Sequence, residues 1–269
     1  MMNNITPVVK QLLIINIIFF IGSQFVPISS SYFALYYPND DHFKIWQLIT
    51  HMFMHANLMH IAFNMFALYS FGSALEHFWG EKKFLFFYIS CGLGAALLQL
   101  GVYYFNIHNE LLGVESMNLS EDTLHQILNV NFSEGIYLKS DLFEKEIKPI
   151  LQNVGKLDML NQSNFNSLFK AAAANQSSMV GASGAIYGLL VAFAYMFPNA
   201  ELLMMFIPIP IKAKYFVPIL IFFDLFSGVT GSSLMGSGIA HFAHIGGAVT
   251  GFIMMWIWRN NQFKHNRWN

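Results

Sequence analysis

Apolar residues along this chain gather in six long stretches, at approximately 8–28, 56–79, 84–105, 179–197, 215–229 and 239–258. A bilayer core about 30 Å thick is crossed by about 20 apolar residues in a helix. The pattern therefore predicts an all-α, polytopic membrane protein with six transmembrane helices. The fifth stretch is the most broken, because Pro208, Pro210 and Pro218 crowd its entry and Asp224 interrupts it. The first could be read as a signal peptide, with Lys10 as its charged region and the serines at 29–31 as a cleavage site. Signal cores run about 7 to 15 apolar residues, and this one is longer, so it is expected to stay as a helix.

Composition sharpens the picture. Of 269 residues, 55% are hydrophobic and 11% are charged, less than half the roughly one quarter usual in soluble domains. The long gap between the third and fourth stretches, 106–178, carries nine of the fifteen acidic residues. It reads as an extramembrane insertion within a single membrane domain spanning 1–269. Inside it, Ser120 followed by Glu121 and Asp122 looks like a helix start, and 141–160 has loosely helical apolar spacing. The net charge of −1 gives no field to hold a nucleic acid. A single cysteine, Cys91, excludes an intrachain disulfide and a cysteine-based metal or redox site.

Lys and Arg in short loops stay on the cytoplasmic side. In a six-span arrangement Lys10, Lys82, Lys83, Lys212, Lys214, Arg259, Lys264 and Arg267 fall on one side, with only Lys44 in a short loop opposite. Both termini are thus expected in the cytoplasm and the insertion outside. With no Arg-rich transit segment at the start, a bacterial plasma membrane is the expected location.

Ionisable and polar groups within spans are costly, and by default functional. Three clusters retain them, each near the outer end of its helix: HMFMHANLMHIAFN at 51–64, GASGAIYG at 181–188 and AHFAHIGGAVTG at 240–251. Fourteen residues separate Asn64 from Phe78, Ser183 from Phe197, and His244 from Trp258. At 1.5 Å per residue, all three polar groups lie about 21 Å above the inner edge, in one buried plane. Gly184 and Gly188 form a small face beside Ser183, and Gly247 and Gly251 form another beside His244. Such faces let helix backbones approach closely in lipid. A serine hydroxyl and an imidazole brought together at one depth make a Ser183–His244 dyad, with the imidazole as general base. His60 and Asn64 stand one turn apart on one helix face, as donors to a developing oxyanion, beside the positive end of the helix that begins near Ser183.

At these residues the chain resembles the rhomboid proteases. The resemblance rests on the His60 and Asn64 pair, on Gly181-Ala182-Ser183-Gly184, and on Ala243-His244-Ile245-Gly246-Gly247 with Gly251, and covers about 43–105 and 178–258. It implies an intramembrane serine endopeptidase that cleaves transmembrane protein substrates with no cofactor. It also implies Ser183 and His244 as the catalytic pair and an oxyanion hole lined by His60, Asn64 and the serine's backbone N–H. Tyr187 matches a family position whose ring stacks on the catalytic imidazole, and its i+4 spacing from Ser183 places it on the same face. Gly72 and Glu76 match a pattern with a structural role. Two departures stand out: Trp46-Gln47 occupies a place where many members have Trp-Arg, and the insertion of about seventy residues replaces a short loop. The insertion is read as a lid, a substrate contact or an ornament.

Blander readings remain beside this one. A serine among glycines in a membrane helix is usually a packing residue. His241, one turn outside His244, is expected to be loop-facing or structural. His51 and His55, at i and i+4, suggest zinc when taken with His60, but no HExxH motif, carboxylate or cysteine completes a site. No metal is therefore expected, and these histidines are read as helix caps and supports of the outer loop. Asp224 invites assignment as a third catalytic member, yet no spacing ties it to His244, so a pore-facing or partner-satisfied aspartate is expected. A transporter using its histidines, or a non-catalytic protein that binds and escorts membrane helices, are the rival functional classes.

Overall fold

The computed structural model describes residues 5–134, 137–204, 207–231 and 240–262. Its main helices, in chain order, are α1 (Pro7–Phe25), α2 (Leu58–Trp79), α3 (Glu81–Leu112), α4 (Glu121–Leu128), α5 (Ser140–Asn153), α6 (Gln162–Asn175), α7 (Ser183–Met196), α8 (Ala213–Thr230) and α9 (His241–Gln262). The all-α expectation holds only in the main: short antiparallel ribbons pair Leu35–Tyr36 with Ser178–Met179, Ser133–Glu134 with Tyr137–Leu138, and Glu201–Met204 with Ile207–Lys212. The last ribbon takes up Pro208 and Pro210, which the sequence places at the entry of the fifth span; only Pro218 lies within α8.

Among the described residues, four helices are long and apolar enough to cross a membrane: α1, α2, α3 and α8. The fourth expected span is shorter than predicted. Its helix begins only at Ser183, because Ser178–Met179 is extended, and has 14 residues. Nine consecutive residues of α7, Gly184 to Ala192, are buried, so this helix is surrounded by protein rather than presented to hydrocarbon. By contrast, α1 and α8 expose Ile14, Ile18 and Ile21, and Phe222, Phe226 and Val229, an apolar surface suited to lipid. The sixth expected span starts at Ile239, which lies outside the described residues, as do Lys264 and Arg267; its helix, α9, has 22 residues.

The chain divides into two compact units, and the division falls within α3. The first comprises 1–34, 48–99 and 180–269; the second comprises 35–47 and 100–179. The expected insertion, 106–178, lies within the second unit, which also takes in 35–47 and 100–105. The third expected span ends at 105, but its helix continues unbroken to Leu112. The segment 35–47 also bonds to the insertion residues: Asn39 Nδ2 donates to Asn175 Oδ1 (3.2 Å) and Asp41 N to Asn129 Oδ1 (3.0 Å). Gln47, fully buried, holds that segment from inside. Its Oε1 accepts from the backbone N–H of Tyr36 and Lys44, and its Nε2 donates to the His42 carbonyl at 2.9 Å. A neutral amide here satisfies backbone groups that need no ion pair.

The second unit has a core of its own, built on Phe132, Phe143, Ile147, Leu151 and Leu168. Ser120 caps α4 by accepting from Thr123 N, as its sequence suggests, and Asn161 caps α6 from Asn164 N at 2.9 Å. The first unit's core runs from Val9 and Leu12 on α1 through Leu75, Phe87 and Tyr88 to the buried face of α7. Glu76, buried on α2, accepts from Val8 N and Val9 N at 2.9 Å each and from the Thr6 hydroxyl. A carboxylate there takes up free donors in the first turn of α1 and sits at the positive end of its dipole.

Candidate active site

Glycine decides how closely α7 and α9 approach. A Cβ on Gly247 would stand 1.8 Å from the Gly184 carbonyl oxygen, and one on Gly251 would stand 2.8 Å from the Gly188 Cα. Backbone therefore lies against backbone along this crossing, with Gly188 also facing Cys91 of α3 and Gly184 facing Ala95. Only a hydrogen atom fits at such positions. The contact carries Ser183, the first residue of α7, to His244, one turn into α9: Ser183 Oγ lies 2.8 Å from His244 Nε2.

Tyr187, one turn below Ser183, stacks on the His244 ring with centroids 4.2 Å apart and planes 11° from parallel. Gly181, at φ +120°, turns the chain into α7 in a conformation that an L side chain rarely adopts. A Cβ there would meet Cε1 and Nε2 of His60 at 2.7 Å, and Ser183 Oγ at 3.6 Å. Gly181 thus admits the His60 imidazole to the loop beside the serine, while its own N–H donates to the His51 carbonyl at 2.9 Å. Asn64, one turn further along α2, is buried, and among the described residues its Nδ2 has no partner. An unused amide donor in a buried position is costly unless something else accepts from it.

Of the two roles expected of the outer histidines, capping is not what they do at α2. The cap of α2 is Asn57, whose Oδ1 accepts from His60 N at 2.9 Å, and not a histidine. His55 is buried against His60, with ring centroids 5.0 Å apart. Burial first, and the neighbouring His60 second, push its pKa down to about 4.

Asp224 is the partner-satisfied aspartate of the two expected alternatives, and one of its partners is the histidine to which no spacing tied it. Far from being unconnected to His244, its Oδ1 lies 3.0 Å from His244 Nδ1 and 2.6 Å from His241 Nδ1, while Tyr187 donates its hydroxyl to Oδ2. The carboxylate is 1% exposed and the two histidine side chains are 10% and 12% exposed. His241 is accordingly tied to the buried carboxylate, the structural one of its two expected roles. A signal was present in the sequence, since an aspartate within an apolar span needs a partner and His241 and His244 share one helix face. What sequence spacing lacked was the rotation of α8 about its axis. The three groups could also ligate a cation, their donor atoms lying within 4.8 Å of one another. Yet contacts of 2.6 and 3.0 Å are hydrogen-bond lengths, closer than the roughly 3.3 Å between neighbouring ligands on tetrahedral zinc.

Comparison with known proteins places the chain in a family. The Rhomboid domain model matches residues 42–113 and 158–261. The chain is 27% identical over 188 residues to Rhomboid protease AarA of Providencia stuartii, covering 68% of this chain and 67% of that one. It is 32% identical over 92 residues to Putative rhomboid protease YdcA of Bacillus subtilis, covering 26% of this chain and 46% of the relative. Over 178 residues it is 26% identical to an uncharacterized mitochondrial rhomboid protein of Schizosaccharomyces pombe, covering 65% of this chain and 40% of the relative. The chain belongs to the rhomboid family of intramembrane serine proteases.

Proposed function

We propose that this protein hydrolyses peptide bonds in or beside membrane-spanning segments of other membrane proteins, with Ser183 as nucleophile and His244 as general base. The observation that carries the reading is the 2.8 Å contact between Ser183 Oγ and His244 Nε2, a distance suited to direct proton transfer. In the first step Ser183 Oγ attacks the scissile carbonyl carbon and its proton passes to Nε2. The carbonyl oxygen takes the negative charge, and the reading assigns the Ser183 backbone N–H, Asn64 Nδ2 and the His60 ring as its donors. The C–N bond then breaks, and the departing amine takes the proton from Nε2, leaving an ester on Ser183. Water attacks that ester with His244 again as base, releasing the acid and restoring the hydroxyl.

The topology that goes with this reading has six spans, both termini on the cytoplasmic side of a bacterial plasma membrane, and the insertion 106–178 on the outer side. A polar cavity open to that side, walled by α2, α8 and α9, would deliver water to Ser183. The reading requires no cofactor or metal.

Covalent labelling of the purified chain with a fluorophosphonate tests it. The wild type is expected to label, and Ser183→Ala and His244→Ala to lose labelling together with cleavage of a transmembrane substrate. Cleavage that survives Ser183→Ala would remove the nucleophile assignment. Intact helix binding without any labelling of the wild type would favour the non-catalytic rival.

A further inference from the structure

Resting on the Ser183–His244 reading, the geometry points to Asp224 as a positioning residue that completes a serine–histidine–aspartate relay inside the membrane unit. Stacking on Tyr187 fixes the plane of the His244 ring, but a stacked ring is still free to rotate within that plane. Its in-plane orientation is set by two anchors, Ser183 Oγ at Nε2 and Asp224 Oδ1 at Nδ1. An ionised carboxylate has no proton to give, so the hydrogen bond at Nδ1 places the imidazole proton there. The Nε2 lone pair is then directed at the serine hydroxyl, the tautomer a general base needs.

The carboxylate is itself held from two sides. Tyr187 donates to Oδ2, so one side chain stacks on the base and pins its partner, and His241 shares Oδ1 from one turn further out on α9. Three donors from two helices converge on an aspartate that is 1% exposed, which accounts for a buried charge in an apolar helix. When His244 takes the serine proton, the imidazolium is formed against Asp224, with His241, Tyr187 and His60 the other titratable groups around it. Asp224 accepts no proton in the cycle; it orients the ring and faces the positive charge.

The test compares the full chain in detergent with its Asp224→Asn, Asp224→Glu and Ser183→Ala variants, using a fluorogenic transmembrane peptide and a fluorophosphonate. Asp224→Asn should lower kcat by at least about tenfold with KM within about twofold and an unchanged melting temperature, and Asp224→Glu should recover part of the loss. A variant that keeps full kcat, or loses kcat only in step with its melting temperature, would overturn the proposal. Activity in Ser183→Ala would instead sink the reading beneath it, which keeps the two failures apart. Should Asp224→Asn not fold, nitrogen NMR of 15N-histidine-labelled wild type, assigned with His244→Gln, decides: a proton on Nδ1 of His244 is expected, and one on Nε2 overturns the relay.

Discussion

His55 illustrates how a residue's chemistry is set by what surrounds it. Alone, an imidazole titrates near 6.5, but burial beside His60 lowers His55 to about 4. The folded state therefore binds fewer protons than the unfolded state between those values. Stability from this group is fully present above about pH 6.5 and is lost as pH falls toward 4, by at most about 1.4 kcal/mol per pH unit. His55→Gln should lack that component, giving a shallower fall in melting temperature between pH 7 and 5. Equal slopes for the variant and the wild type would mean His55 is not the group concerned. Gly181 belongs to the same scale: its φ of +120° and its contact with His60 are both properties of a missing Cβ.

Among the elements, the crossing of α7 and α9 governs whether the reactive groups meet. Gly247→Ala would push a methyl carbon into the Gly184 carbonyl, where 1.8 Å is available. The helices must separate, at a cost of about 1–3 kcal/mol, and Ser183 moves away from His244. Fluorophosphonate labelling is expected to fall at least about tenfold, since a misplacement of about 1 Å at a reacting pair can cost about a hundredfold in rate. Gly22→Ala on α1, where none of the described residues lies within 4 Å of the added carbon, should label as the wild type does. Similar labelling of the two variants would show that the glycine contact does not position the pair.

At the scale of the whole molecule, the two units bury separate cores. Phe143 is fully buried in the second, against Phe132, Phe165 and Phe169. Phe143→Ala should destabilise that unit by about 3–5 kcal/mol and speed hydrogen exchange across 121–175, while Ser183 still labels. Loss of labelling along with protection would tie the two units into one cooperative transition.

Sequence alone determined what is local or additive along the chain. Apolar runs long enough for a bilayer and the glycine spacing on α7 and α9 both follow from one fixed helical repeat. The short start of α7 was misjudged because Ser178–Met179 finds a strand partner some 140 residues earlier, at Leu35–Tyr36. Gln47's buried backbone contacts, the extent of the second unit and the partners of Asp224 were decided only by the tertiary structure. Each successive residue turns a helix by about 100°, so which face meets a neighbour depends on how each helix is rotated and crossed. Those angles are settled by the packing of all the helices together, and no spacing within one helix contains them.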